Sequence, residues 1–260
     1  MLEREERVST GPYVFRAEEP LPLTGERTSP GVPEENYWFQ RHVVAYRFAA
    51  ERVAGGRVLD AGCGEGYGSE ILAGSGGSVV GVDLEVPVVR RASERYPSAE
   101  FRAGDIGSLP FPDASFDAVV SLQVIEHVRD PSRFLQECSR VLRDGGTIVL
   151  STPNRLTFSK DGIRNPFHTF EFAPDELASL LRQWFVNVSV AGTFHGKRLA
   201  ALDRISRVPF PERLLAQPAP EWPRWLRRVV AAVRPEDFAI RDKRVESSLD
   251  LVAVGQRAAD

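Results

Sequence analysis

The chain has 260 residues, enough for one α/β domain with insertions and a substantial buried core. Its 42% hydrophobic and 27% charged residues are ordinary for a globular protein, no apolar run is long enough to span a membrane, and a net charge of −3 argues against nucleic acid as the main partner. The first residues, Met1–Val8, are charged and nothing apolar follows them, unlike a signal peptide, so a cytoplasmic protein is expected.

Residues 1–33 are rich in Pro, Gly, Glu and Arg without apolar periodicity and read as an irregular arm. Over 34–56 the residues Tyr37, Trp38, Val44, Ala45, Phe48, Ala49 and Val53 recur at helical spacing behind two acids, which predicts a helix ahead of the first strand. That strand is Arg57–Ala61, and it empties into Gly62, Gly64 and Gly66 before a helix through Ser69–Ala73. The dinucleotide fingerprint needs its third glycine where Tyr67 stands, so the spacing disfavours a pyrophosphate ligand. Asp60, just before the turn, would repel phosphate and could pair with a cation. Asp83, at the end of the following strand, is placed to accept both hydroxyls of a ribose.

Further on, a helix is expected through Pro87–Tyr96 and a strand over Ala99–Ala103, leading to Gly104-Asp105-Ile106. Asp105 could take an adenine amino group or cap a short turn. The near-continuous apolar run Phe116–Leu122 reads as a buried parallel strand, and Asp130-Pro131 starts a helix ending before Gly145-Gly146. On it Cys138 recurs with Phe134, Leu135, Val141 and Leu142, which makes it a core residue; neither Cys138 nor Cys63 has disulfide or metal-ligand spacing. Gln123 to His127 follows the carboxyl end of a strand, where open parallel sheets bind ligands. A strand over Thr147–Thr152, a proline-interrupted insertion, a helix over Pro174–Trp184 and strands over Phe185–Phe194 and Ser248–Val254 complete the pattern. The insertion before the last strand, 195–246, is expected to be helical. It contains a basic amphipathic stretch, Trp222–Val233, and twelve Lys/Arg against six Asp/Glu between Lys197 and Arg244.

The run Val58-Leu59-Asp60-Ala61-Gly62-Cys63-Gly64-Glu65-Gly66, paired with Asp83, resembles motif I of the class I S-adenosylmethionine-dependent methyltransferases. The resemblance spans about Arg57 to Asn154 plus the last strand. It implies a Rossmann-like, seven-stranded, mostly parallel sheet with an antiparallel last strand, in a single methyltransferase domain. It also implies S-adenosylmethionine held by Asp60, Gly62, Cys63, Gly64, Gly66, Asp83, Leu84, Asp105, Ile106 and Gln123. In that family the N-terminal arm and helix commonly shape the acceptor pocket, so Tyr37 and Trp38 are candidates for its wall or for plain packing, and His42 reads as a surface or capping residue.

A sugar hydroxyl is a poor nucleophile and needs a base or a pKa-lowering metal. His127, oriented by Glu126, is the first candidate base and His168 the second, with Phe167 and Phe170 available to stack on a sugar ring. Gln123, Glu126 and His127 also resemble the Glu-x-x-Glu-His set that can hold magnesium in ubiquinone-type O-methyltransferases. Gln123 removes one hard anionic ligand, so magnesium stands as an open second cofactor, with Glu126 and His127 as weak ligands.

Four blocks, Thr24–Thr28, Glu35–Phe39, Ser151–Arg155 and Asn165–Thr169, resemble an actinobacterial subgroup linked to methylated polysaccharides. This implies O-methylation of a sugar hydroxyl on a glucose- or mannose-containing oligosaccharide, with Asn154, Arg155, Arg164 and His195 beside the aromatics. Three alternatives stay open: a quinol, phenol or lipid acceptor, with the basic stretch on a membrane surface; an NAD-dependent oxidoreductase on the same fold; and a non-catalytic cofactor-binding module. Oligomeric state is likewise open, a homodimer being one of the states it admits.

Overall fold

The computed structural model describes residues 8–10, 13–15, 28–159, 165–206 and 221–259. Two compact units are formed, one by 1–44 with 194–239 and one by 45–193 with 240–260. In chain order the elements are β1 (Val8–Thr10), β2 (Tyr13–Phe15), α1 (Asn36–Ala50), β3 (Arg57–Ala61), α2 (Tyr67–Ala73), β4 (Ser78–Asp83), α3 (Val86–Arg95), β5 (Glu100–Ala103) and β6 (Phe116–Leu122). They continue with α4 (Pro131–Val141), β7 (Leu142–Pro153), α5 (Arg155–Phe158), α6 (Pro174–Leu181), β8 (Val186–His195), α7 (Lys197–Ser206), α8 (Arg224–Ala231), β9 (Phe238–Arg241) and β10 (Asp250–Gln256).

The main sheet has eight strands in the order β5-β4-β3-β6-β7-β10-β8-β9, not the seven expected. The extra edge strand, β9, lies in the segment read as a helical insertion; four residues are too few for alternation to announce a strand. Likewise β1 and β2 pair antiparallel inside the arm read as irregular. The strands from β5 through β7 run parallel, while β10 is antiparallel to both β7 and β8, as the expected antiparallel last strand requires.

Between β3 and β6 the sheet order reverses, the switch point at whose carboxyl ends open parallel sheets bind ligands. Beneath it lies one apolar core. On its α4 side Phe134, Leu135, Cys138 and Val141 are all fully buried at the predicted helical spacing, and burial pushes the Cys138 thiol up. On the opposite strands Leu59, Val119, Ile148, Leu150 and Leu251 belong to the same core. Asp130 caps α4 by accepting from the Arg133 amide at 3.0 Å.

The other unit joins polar pairs to buried apolar side chains such as Tyr37, Leu226 and Phe238. Asn36, at the start of α1, donates to the carbonyls of Val230 and Val233 at 2.8 and 2.9 Å. Helix α8 buries Leu226 and Val230 and leaves Arg224, Arg227, Arg228 and Trp225 on its exposed side, the amphipathic arrangement expected of the basic stretch. His42, read as a surface or capping residue, is half-buried beside the Thr28 hydroxyl at 3.0 Å; burial and Arg41 push its pKa down to about 3.

Candidate active site

The glycine loop between β3 and α2 is shaped by positive φ angles of 80°, 51° and 84° at Gly62, Gly64 and Gly66. At Gly62 a Cβ would also lie 2.5 Å from a Val124 methyl, so a side chain is excluded by both backbone and neighbour. That contact sets the loop after β3 directly against the loop after β6. The amides of Gly62 and Cys63 donate to the Val82 carbonyl at 2.8 and 3.0 Å, which folds the loop over the end of β4.

Asp83 stands there. Its Oδ2 accepts from the Gly64 amide at 2.9 Å and its Oδ1 from the Glu85 amide at 3.1 Å, so the carboxylate is oriented by two backbone donors. Next to it Leu84 and Val86 are 73% and 64% exposed, an apolar surface at the carboxyl end of β4. Asp105 is exposed, and its Oδ1 accepts from the Gly107 amide at 2.8 Å, the short-turn cap foreseen as its other role. Ile106 is half-buried against the core.

Asp60 is fully buried, with Ser69 and Tyr46 hydroxyls donating to it at 2.7 and 3.2 Å. Burial raises its pKa to about 7 against those two hydrogen bonds. Cys63 is also buried, and burial, then Asp60 and Asp83, push its thiol up, so it is no reactive nucleophile.

Beyond β6, Gln123 adopts φ 58°, a left-handed conformation uncommon for a side-chain-bearing residue and frequent at functional sites. Its amide Nε2 donates to Ser151 Oγ at 3.1 Å. The chain then forms one turn of 3-10 helix, Ile125–His127. Glu126 is fully buried: Oε2 accepts from Thr152 Oγ1 at 2.9 Å, and Oε1 has no hydrogen-bond partner. Burial raises its pKa to about 8. Its carbonyl receives the amides of Thr169 and Phe170 at 2.7 and 3.1 Å, which ties the segment after α5 to the loop after β6.

That tie brings the two candidate bases together. The imidazoles of His127 and His168 meet edge to face with centroids 5.1 Å apart, and His168 stacks on Phe158 at 5.3 Å. His127 Nδ1 lies 3.0 Å from the Phe167 carbonyl and His168 Nδ1 3.1 Å from Glu171 Oε1. Burial lowers the His168 pKa, opposed by its hydrogen bond to Glu171. Phe167 and Phe170 are 42% and 41% exposed beside this pair.

The acceptor-side residues divide. Arg155 pairs with Glu176 at 2.6 Å on the rim. Asn154 is fully buried; its Nδ2 donates to the carbonyls of Val245, Glu246 and Ser248 and its Oδ1 accepts from the Leu156 amide. Every polar atom of that side chain is spent on the framework. We therefore expect Asn154→Ala, which strands buried carbonyls, to lower unfolding free energy by about 2–4 kcal/mol in urea denaturation. Tyr37 is fully buried in the other unit, its hydroxyl 2.7 Å from His195 Nε2, whose Nδ1 lies 2.5 Å from Asp203; Trp38 packs edge-on against Tyr37 at 5.5 Å. Arg164 and the Thr24–Arg27 part of the first block lie outside the described residues.

Sequence reasoning missed Thr152, Glu171, Tyr46 and Ser69, which hold Glu126, His168 and Asp60. For Glu171 a signal existed, a carboxylate three residues after His168; Tyr46 and Ser69 gave none.

Comparison with known proteins agrees with this geometry. Residues 59–150 match the family model described as a methyltransferase domain. Over 257 residues the chain is 46% identical to a probable S-adenosylmethionine-dependent methyltransferase of Mycolicibacterium smegmatis, covering 91% of this chain and 95% of the relative. A protein of the same description from Mycobacterium tuberculosis is 45% identical over 246 residues, covering 91% of this chain and 90% of its own. A ubiquinone biosynthesis O-methyltransferase of Xanthomonas oryzae is 39% identical over 108 residues only, 40% of this chain and 45% of that one. Among solved structures, a methyltransferase of Thermotoga maritima described as a possible histamine N-methyltransferase shares the fold, with a TM-score of 0.59, 21% identity and coverage of 86% and 95%. With the glycine loop, the oriented Asp83 and near-full-length similarity to named relatives, the chain belongs to the S-adenosylmethionine-dependent methyltransferases and is an enzyme of that family.

Proposed function

We propose that this enzyme methylates a hydroxyl group, and that the acceptor is a sugar hydroxyl of an oligo- or polysaccharide. The observation that carries the oxygen acceptor is the pair of imidazoles beside Glu126, His127 in the loop packed against the cofactor glycine loop and His168 on the segment tied to that loop. A nitrogen acceptor needs little beyond alignment with the methyl group; a hydroxyl needs a group to take its proton.

In the proposed reaction the acceptor oxygen attacks the methyl carbon in line with the departing sulfur. The O–CH3 bond forms, the S–CH3 bond breaks with its electron pair going to sulfur, and the hydroxyl proton passes to a neutral imidazole. The sulfonium thereby becomes a neutral thioether. Burial of His168 keeps it neutral and ready to accept, while the Glu171 carboxylate orients the ring and favours the imidazolium that forms. Exposed Phe167 and Phe170 offer flat apolar faces for a sugar ring. Asp83 would take the ribose hydroxyls, Leu84 and Ile106 would flank the adenine, Asp105 would take its amino group, and Gln123 and the glycine loop would line the amino-acid end. Arg155 remains a proposed acceptor contact from the rim.

Asp60 supplies a pH signature. Its folded pKa of about 7 lies above the ordinary value of 3.8, so its contribution to stability is fully present below pH 3.8 and is lost as pH rises through 7. The cationic cofactor favours the carboxylate, so binding releases a proton. Cofactor affinity should rise between pH 5.5 and 7.5, by up to about tenfold per pH unit, and Asp60→Asn should flatten that rise in calorimetric titrations.

The acceptor class is tested by transfer of a radiolabelled methyl group to defined glucose and mannose oligosaccharides, quinols, phenols and lipids. Label on the oligosaccharides is the expected result. Label confined to quinols or lipids would replace the sugar assignment with the second O-methyltransferase reading, which the partial similarity to ubiquinone-type enzymes favours.

A further inference from the structure

We infer that Glu65 and Arg95 form a buried latch between the glycine loop and helix α3, which makes Arg95 a positioning residue for the methyl donor. The latch rests on the reading that Asp83 takes the ribose and owes nothing to the nature of the acceptor.

Glu65 lies between Gly64 and Gly66, yet its side chain is only 2% exposed; that of Arg95, the last residue of α3, is 4% exposed. Arg95 Nη1 stands 3.9 Å from Glu65 Oε2. A guanidinium stays charged throughout the working pH range, so burying one is costly unless an opposite charge is buried with it. Glu65 supplies that charge, and the Tyr96 ring lies 5.5 Å from the guanidinium carbon. Burial pushes the Tyr96 phenol up, so it stays neutral and leaves the balance to a carboxylate. A buried ion pair is often no more stabilising than apolar side chains of the same volume; what it adds is a fixed register.

Here there is a register to fix. Ala92 and Arg95 are three residues apart on α3 and share a face. A Cβ on Gly66 would lie 2.8 Å from Ala92 Cβ, so the loop backbone rests on the helix there, and Glu65 reaches the same face one turn further on. The start of α3 is tied to the loop as well, because the Gly64 amide and the Glu85 amide, at the N-cap of the helix, both donate to Asp83. Neighbouring loop residues therefore grip both ends of α3: Gly64 through Asp83 at the start, Glu65 through Arg95 at the end. Removing Arg95 releases the far end, lets the Gly64 amide drift from Asp83, and loosens the carboxylate that would take the ribose.

The test is calorimetric titration of S-adenosylhomocysteine into the full-length protein, with melting temperature measured alongside. Arg95→Met and Glu65→Leu each strand one buried charge, so each should lower the melting temperature by about 5 °C or more and weaken binding by tenfold or more. The Glu65→Leu/Arg95→Met double variant strands none. Its melting temperature should return to within about 2 °C of the parent protein while binding stays at least tenfold weaker. A packing role alone would restore affinity together with stability, so a double variant that melts and binds like the parent overturns the latch, as does parental affinity in Arg95→Met. If the double variant stays destabilised, hydrogen exchange of Arg95→Lys decides: faster exchange over residues 62–68 with unchanged exchange over 131–141 supports the latch, and unchanged exchange over 62–68 overturns it. Parental affinity in Asp83→Ala beside weak binding in the double variant would remove the ribose contact and leave the latch standing.

Discussion

Replacing His168 by alanine should lower turnover by about 10²–10⁴-fold, the range for removal of a positioned proton acceptor, while S-adenosylhomocysteine affinity changes less than about twofold. The ring is fixed on three sides: stacked on Phe158, edge-on to His127, and hydrogen-bonded through Nδ1 to Glu171. A ring so held does not hunt for its rotamer when the acceptor arrives, and that pre-organisation is what the substitution removes. The Glu171 side chain is buried behind the His168 ring and acts through it, so it is a positioning residue in the proposed reaction. Glu171→Gln keeps the shape and loses the charge; it should cost about tenfold in kcat with KM little changed, measured by steady-state kinetics on the acceptor found in the methyl-transfer screen. Full activity in His168→Ala and in His127→Ala would remove the imidazole pair from the mechanism.

The other large effect belongs to Asp83. Asp83→Ala should weaken S-adenosylhomocysteine binding by about 10²–10⁴-fold in calorimetry, since two charge-assisted hydrogen bonds to a ribose contribute about 1.5–3 kcal/mol each. The Gly64 and Glu85 amides that orient the carboxylate would lose their acceptor too, so part of the loss comes from a loosened glycine loop. Asp83→Asn keeps one acceptor oxygen and should fall between. Unchanged affinity in both variants would place the ribose elsewhere.

Which parts of this arrangement can be read from sequence follows from range. A glycine forced to positive φ, a strand buried on both faces and a proline-led helix are each encoded within a few residues, and β3, Gly62 to Gly66, β6 and α4 fall where the sequence places them. The partners of those elements are not local. Asn154 looks like an acceptor contact until Val245, Glu246 and Ser248 arrive from some ninety residues away to use its amide. Tyr37 looks like a pocket wall until His195 takes its hydroxyl. Glu126 and His127 are legible as a pair at a strand end, but the closeness of His168 depends on a backbone tie that no spacing announces. Strand β9 escaped because Phe238–Arg241 is too short to show a period.

The central claim, that an acceptor hydroxyl is activated at the Glu126–His127–His168 cluster beside the bound methyl donor, is tested most directly by a crystal structure of the enzyme with S-adenosylhomocysteine and the methyl acceptor. The account predicts an acceptor oxygen about 3 Å from an imidazole Nε2 and in line with the cofactor sulfur. An acceptor oxygen lying beyond hydrogen-bond reach of both imidazoles, with the sulfur still aligned on it, would contradict the account.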